Sequence, residues 1–509
     1  MRSRAEGSIT LSLAEHSTIR LYNSMADVAY RLKQRIRPTQ PPDDSLLLGT
    51  GTDLHHRKCK IPLYITPGQR AKHIYTIGST GSGKTKFLEG LIGQDIRKAN
   101  GFGVIDCHGD LVSDVIRYLS TLPPYSKVSQ EDYGSFSYER LVLIDPTDQN
   151  CSIGFNPLEV TEGVRPYAQA LELLGVFKKI WGYWGPRMDE LMRNVLVTLA
   201  ESGLSLLEVQ PLLTDDGFRA ELAGKLRNVE AKRYWLERFD PLSLAMKSQY
   251  SEPVLNKTQT FVADPVIRSI VGQRKSTIDF RKIMDQGKIL LVNLSKGTLK
   301  ENALLLGGLL VAKIQMAAMS RTDISEDQRK PWHLYVDEFQ NFATESFAEI
   351  LSEARKFGLS LIMAHQNLDQ VNNLLRASIL ANVGTQVYFG LSKSDAMKLA
   401  SEISLSGRGN IVSILTQQKT REAYLRIRGE TPMSIQTPYI SQVPHDPEKV
   451  ELVRRCAIKA YCRPVRKTPK DEMDAEVESA PRGYSLAREE MQDGINPKFA
   501  PEGDFQEGK

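Results

Sequence analysis

Gly78-Ser79-Thr80-Gly81-Ser82-Gly83-Lys84-Thr85 decides how the rest of the chain is read. It fits the spacing of a phosphate-binding loop: glycine, four residues, then Gly-Lys-Ser/Thr. The apolar run His73–Ile77 precedes it with strand character, and Phe87–Ile92 follows with helical rhythm. Glycines let successive N–H groups turn toward one anion, and the helix N-terminus adds positive potential. Lys84 is placed to reach the β and γ phosphates of a nucleotide, and Thr85 to hold Mg²⁺. ATP and Mg²⁺ are therefore the expected cofactors.

Two further strand ends complete a hydrolytic site. Trp332-His333-Leu334-Tyr335-Val336-Asp337-Glu338 is an apolar strand ending in two acids. Asp337 suits the water shell of Mg²⁺, and Glu338, one residue on, can polarise an attacking water. Leu359-Ser360-Leu361-Ile362-Met363-Ala364-His365-Gln366-Asn367 is another buried strand with a polar end. If it lies between the Asp337 strand and the phosphate-loop strand, Gln366 faces the γ-phosphate. Arg355, in Glu353–Gly358, has two readings. It is either an ordinary basic helix end capped by Gly358 or an arginine that reaches a neighbouring subunit's phosphate.

The chain's 509 residues predict two or three domains. A charged share of 25% and a net charge of +5 fit a globular protein and do not alone establish a nucleic-acid partner. The charge is uneven. Residues 1–72 carry twelve Lys or Arg against six Asp or Glu, and residues 465–509 carry seven against eleven. Five scattered cysteines read as no disulfide framework and point to a reducing compartment. His55–Cys59 and the Cys456/Cys462 pair lack a second ligand pair at zinc spacing. The longest apolar run, Ala303–Ala312, is too short to span a bilayer and reads as a buried core helix. With no signal peptide read, the expectation is a cytoplasmic chain, at most peripheral at the inner face of the bacterial membrane through partners.

Residues 1–45 read as a basic amphipathic helix over 16–36 and a Pro-rich linker. That helix packs on its own protein or lies on a membrane. From 46 to 160, and again from 281 to 440, apolar strands alternate with helices. This predicts an α/β fold with a mostly parallel sheet covered on both faces. Between 161 and 280 helical spacing replaces the strands, which predicts an inserted all-α domain. Residues 422–437 read as a β-hairpin, 441–464 as an extension of the core and 465–509 as a disordered acidic tail. Lys296 and Lys300 follow a strand and suit either a DNA-contacting pore loop or an ordinary surface loop. Trp181-Gly182-Tyr183-Trp184 either stacks on bases or packs a small core.

Residues 46–440 resemble the conjugative DNA-transfer ATPases, the TraG/TraD-type coupling proteins of type IV secretion, relatives of the HerA/FtsK translocases. The phosphate loop carries the resemblance together with four runs. These are Val104–Leu111, Ile144–Pro146 with Phe155–Leu158, Val336–Phe342, and Glu353–Gly358 leading to His365-Gln366. The resemblance implies a RecA-like P-loop NTPase core, a hexameric homo-oligomeric ring, DNA in the central channel and ATP between subunits. It also implies that Arg355 acts in trans and that Gln366 couples hydrolysis to movement. The sequence departs from the family in having Cys107 where proline is expected, and no transmembrane helices are read at its start. The expectation is an ATPase that translocates DNA, with a relaxase, a nuclease or a secretion channel as partner. A HerA-like processing or defence motor, a protein-handling secretion ATPase and a nucleotide-gated scaffold are the alternatives.

Overall fold

The computed structural model describes residues 44–52, 60–122, 137–148, 151–182, 184–344, 347–403 and 408–464. The basic helix expected over 16–36, the His55–Cys59 cluster, Tyr183 and the acidic tail expected over 465–509 lie outside these residues.

An eleven-stranded sheet organises the chain, in the order β2-β1-β12-β11-β10-β3-β9-β8-β4-β7-β5. Its parallel part comprises β3 (Ile74–Ile77), β4 (Gly101–Asp106), β5 (Leu141–Ile144), β7 (Ile289–Asn293), β8 (Trp332–Val336), β9 (Leu359–His365) and β10 (Thr385–Tyr388). Each of these strands is buried along its whole length. Continuous apolar runs are therefore the correct signature here, because helices cover both faces. An antiparallel part continues the sheet beyond β10. It comprises β11 (Glu422–Ile427), β12 (Met433–Gln436), β1 (Leu46–Thr52) and β2 (Lys60–Ile65).

Between β6 (Cys151–Ile153) and β7 the described residues form helices and their connections. Pro166–Trp181 and Pro186–Glu201 pack together, and each begins with proline, whose fixed φ suits the first helical position. Trp181 and Trp184 pack against the core. Trp181 stacks on Phe177 and Trp184, and the Lys257 ammonium sits over Trp181. The helix Glu301–Met319 is apolar around most of its surface. The stretch 301–323 is long and apolar enough to cross a membrane, yet 89% of its apolar window is buried inside the protein. At its Gly308 a Cβ would come within 2.7 Å of Val176, so glycine lets the two helices approach.

The 441–464 segment closes one sheet edge. The helix Pro447–Lys459 buries Val453, Ala457 and Ile458, and its Arg454 donates to the buried Asp145 at 2.7 Å. Asn293 donates to the other oxygen of Asp145. The reading of the cysteines needs correction. Cys151 and Cys462 form a disulfide between β6 and β13 (Cys462–Pro464), which pair antiparallel. The two residues are 311 positions apart, so only the return of the C-terminal segment to β6 brings them together. Cys107 and Cys456 are free thiols.

Candidate nucleotide site

The loop 78–83 leaves the C-terminal end of β3 and enters the helix Lys84–Arg97. Its glycines have separate reasons. Gly81 and Gly83 take left-handed φ of 75° and 111°, which L side chains rarely adopt. Gly78 lies so close to the strand-β10 exit that a Cβ would meet Phe389 at 2.5 Å. Ser79 is pinned from both backbone and hydroxyl to the Gly390 carbonyl. Lys84 folds over the loop, and its ammonium donates to the carbonyls of Gly78 at 2.6 Å and Ser79 at 3.1 Å. Burial lowers its pKa, opposed by Glu338 and Asp337. An ammonium tethered to two weak carbonyl acceptors is ready to move to phosphate oxygens.

Strand order supplies the rest. β9 lies directly between β3 and β8, so Gln366, Asp337 and Glu338 converge beside the loop. Thr85 Oγ1 donates to Asp337 Oδ2 at 3.2 Å. Hydroxyl and carboxylate in contact form the pair that suits a hydrated Mg²⁺. The Asp337 pKa is pushed up to about 6 by burial, then by the neighbouring charges of Glu338 and Asp106. Two acids and a third carboxylate crowded in a buried site are a site waiting for positive charge.

Glu338 stands in a left-handed turn, φ 53°, which swings its side chain out of the strand line. Gln366 Nε2 donates to its Oε1 at 2.7 Å, and Gln340 Nε2 to its Oε2 at 2.6 Å. Two amide donors hold the carboxylate in one orientation and leave lone pairs free for a water. The Gln366 carbonyl in turn accepts from Thr80 Oγ1 at 3.1 Å, so a single side chain connects the acid to the loop. No local signal in the sequence marks Gln340 for this contact, because it depends on the left-handed turn at Glu338. Beneath Gln366, the buried His365 shares a 2.6 Å hydrogen bond with Tyr75 and packs edge-on against Phe339. Burial and Lys84 lower the His365 pKa to about 3, so the ring is neutral.

Arg355 and the two lysines are not part of this cluster. Arg355 is exposed in the turn Ala354–Phe357 that precedes β9, at the end of the sheet away from the loop. The seven residues of β9 separate it from Gln366 by about 20 Å, more than its side chain spans. Lys296 and Lys300 bracket a short turn beyond β7, at the same C-terminal end of the parallel strands from which the phosphate loop leaves β3. Ser295 and Lys300 both take left-handed φ, and Lys296 N–H is tied to the Cys107 carbonyl. Lys300 is exposed and Lys296 half-buried.

Two family models match the chain. One, described as the type IV secretion-system coupling protein DNA-binding domain, covers residues 58–208. The other, described as the TraM recognition site of TraD and TraG, covers residues 331–423. No match emerged among curated proteins. Among solved structures, the plasmid coupling protein TrwB in complex with ADP and Mg²⁺ is similar, with TM-score 0.55 and 16% identity. That match covers 80% of this chain and 98% of TrwB. A trigonal form of TrwB with sulphate gives TM-score 0.56 over 82% of this chain and 93% of that one, at 16% identity. VirB4 of Thermoanaerobacter pseudethanolicus gives 0.52 over 81% and 99%, at 13% identity. At these identities the structures establish a shared fold, the RecA-like P-loop core with its large, mostly parallel sheet.

Proposed function

We propose that this chain, whose kinship lies with the TraG/TraD-type coupling proteins of type IV secretion, is an ATPase that drives DNA through the channel of a homo-oligomeric ring. One observation carries the hydrolytic half of the reading. Glu338 is held by two amides beside the Thr85–Asp337 pair and the phosphate loop. A nucleotide-gated scaffold has no use for a carboxylate fixed in this way.

The residues fit ATP and Mg²⁺. Backbone N–H groups of Gly78–Thr85 and the Lys84 ammonium would hold the phosphates, and Thr85 with Asp337 would hold the metal. Bound there, Mg²⁺ would neutralise charge on the transferring phosphoryl group. Glu338 accepts a hydrogen bond from the attacking water and aligns it. Gln366, joined to both Glu338 and Thr80, senses whether the loop is engaged. Catalysis then rests on positioning and charge, with no covalent enzyme intermediate.

Arg355 is out of reach of its own loop, which supports its service to a neighbour's site in a ring. Arginine suits that task through its permanent charge and forked donors. Lys296 and Lys300 are proposed as backbone contacts to DNA, without sequence preference. A relaxase or other relaxosome protein is the proposed partner class, and the proposed location is the cytoplasm, at the membrane's inner face through such partners.

Steady-state ATP hydrolysis at low salt tests this. Single-stranded or duplex DNA is expected to stimulate turnover, the stimulation to fade as salt rises, and Lys84→Ala to abolish it. Turnover indifferent to DNA in an assembled ring would favour a protein-handling ATPase.

A further inference from the structure

A nucleotide lying across the loop has a fixed direction. With its γ-phosphate at Glu338 and Gln366, on the β9–β8 side of β3, its ribose and base must run the other way, toward β10 and β11. Two side chains stand there that the hydrolytic site does not use. Arg421, at the start of β11, is joined directly to the phosphate loop through its N–H to the Ser82 carbonyl at 3.1 Å. It takes a left-handed φ of 71°, a strained conformation for a residue with a side chain, of the kind that clusters at ligand sites. Its guanidinium donates to the Thr437 carbonyl and lies 5.3 Å from the centre of the Tyr439 ring.

Tyr439 is 73% exposed, a large aromatic left facing solvent. Its neighbours fix it on both sides. Thr437 exchanges backbone and side-chain hydrogen bonds with Arg421. Ile440 packs on the phosphate-loop helix at Gly90, where a Cβ would lie 3.0 Å from its Cδ1. A flat aromatic and a flat cation thus sit together beside the helix that begins at Lys84, with the ring open to solvent.

We infer that Tyr439 and Arg421 form the platform on which the base of the bound nucleotide stacks. The inference rests on the phosphate-loop reading and adds the base subsite to it. Stacking uses the π-face that every base has, so the platform favours large purines over pyrimidines and separates adenine from guanine weakly. The ring's hydroxyl is not required.

Calorimetric titration of the full chain with Mg-ADP and, separately, with inorganic pyrophosphate tests the assignment. Tyr439→Ala is expected to weaken ADP about tenfold and leave pyrophosphate unchanged. Tyr439→Trp is expected to restore ADP binding. Undiminished ADP affinity in Tyr439→Ala, or an equal loss of ADP and pyrophosphate, would overturn the platform. Lys84→Ala separates the two readings. Loss of both ligands there, beside an unaffected Tyr439→Ala, removes the platform and keeps the loop. Unchanged binding of both ligands in Lys84→Ala would overturn the loop reading itself.

Discussion

Gln366 bridges Glu338 and Thr80: its amide nitrogen donates to the acid at 2.7 Å while its carbonyl accepts from the loop hydroxyl at 3.1 Å. Any change in the loop is therefore felt by Glu338, the acid proposed to orient the water. Gln366→Ala should keep ATP binding within about twofold but lower turnover and remove its response to DNA. Equilibrium ATP binding beside steady-state rates checks the split. Wild-type turnover in this variant would sever the proposed link.

Glu338→Gln keeps the shape of the site and removes the charge that polarises water. Turnover should fall by about 10² to 10⁴-fold while Mg-ATP still binds. The variant should accumulate as a nucleotide-bound state, measurable by retained radiolabelled ATP after gel filtration.

Asp337 provides a pH test with a definite sign. Its folded pKa of about 6 stands above the ordinary 3.8, so the folded protein holds a proton that the unfolded chain gives up. The Mg²⁺-free protein should therefore lose stability as pH rises from about 4 through 6, and the deficit persists above that. Asp337→Asn should relieve it at pH 7.5, by up to about 3 kcal/mol, and the relief should vanish near pH 4. Melting temperatures of both proteins without Mg²⁺, across this range, would show it.

Arg355 should act across a subunit boundary. Arg355→Ala and Lys84→Ala are each expected to be inactive as pure rings, the former by about 10³-fold or more. Mixed rings should regain activity, because the Arg355→Ala subunit keeps an intact loop and its Lys84→Ala neighbour keeps the arginine. Absence of complementation under conditions where subunits exchange would contradict action in trans.

A stability prediction lies outside the site. Arg70 and Asp95 form a buried ion pair, and the Tyr335 hydroxyl donates to Asp95 at 2.6 Å. Asp95→Asn leaves the guanidinium buried without its counter-charge and should cost about 3–5 kcal/mol. Chemical unfolding monitored by fluorescence would measure the loss.

The parallel strands were legible because a strand covered on both faces needs an unbroken apolar run, as in β8 and β9. The convergence of Asp337, Glu338 and Gln366 followed once β9 was placed beside β3. What stayed hidden depends on distant chain returning to the core. The Cys151–Cys462 bond and the Arg454–Asp145 contact exist because the last described helix docks on the sheet edge, and no local pattern encodes that. Gln340 was hidden for another reason. The left-handed turn at Glu338 folds a side chain two residues on back onto the carboxylate, and a glutamate in that conformation has no sequence signature.

The central claim is that hydrolysis at this site moves the protein along DNA. Displacement of streptavidin from biotin-ended DNA, single-stranded and duplex, measures that movement directly. Wild-type protein with ATP is predicted to displace it at a rate that scales with hydrolysis, and Glu338→Gln to bind the DNA without displacing anything. Rapid DNA-stimulated hydrolysis with no displacement from either substrate would contradict the account.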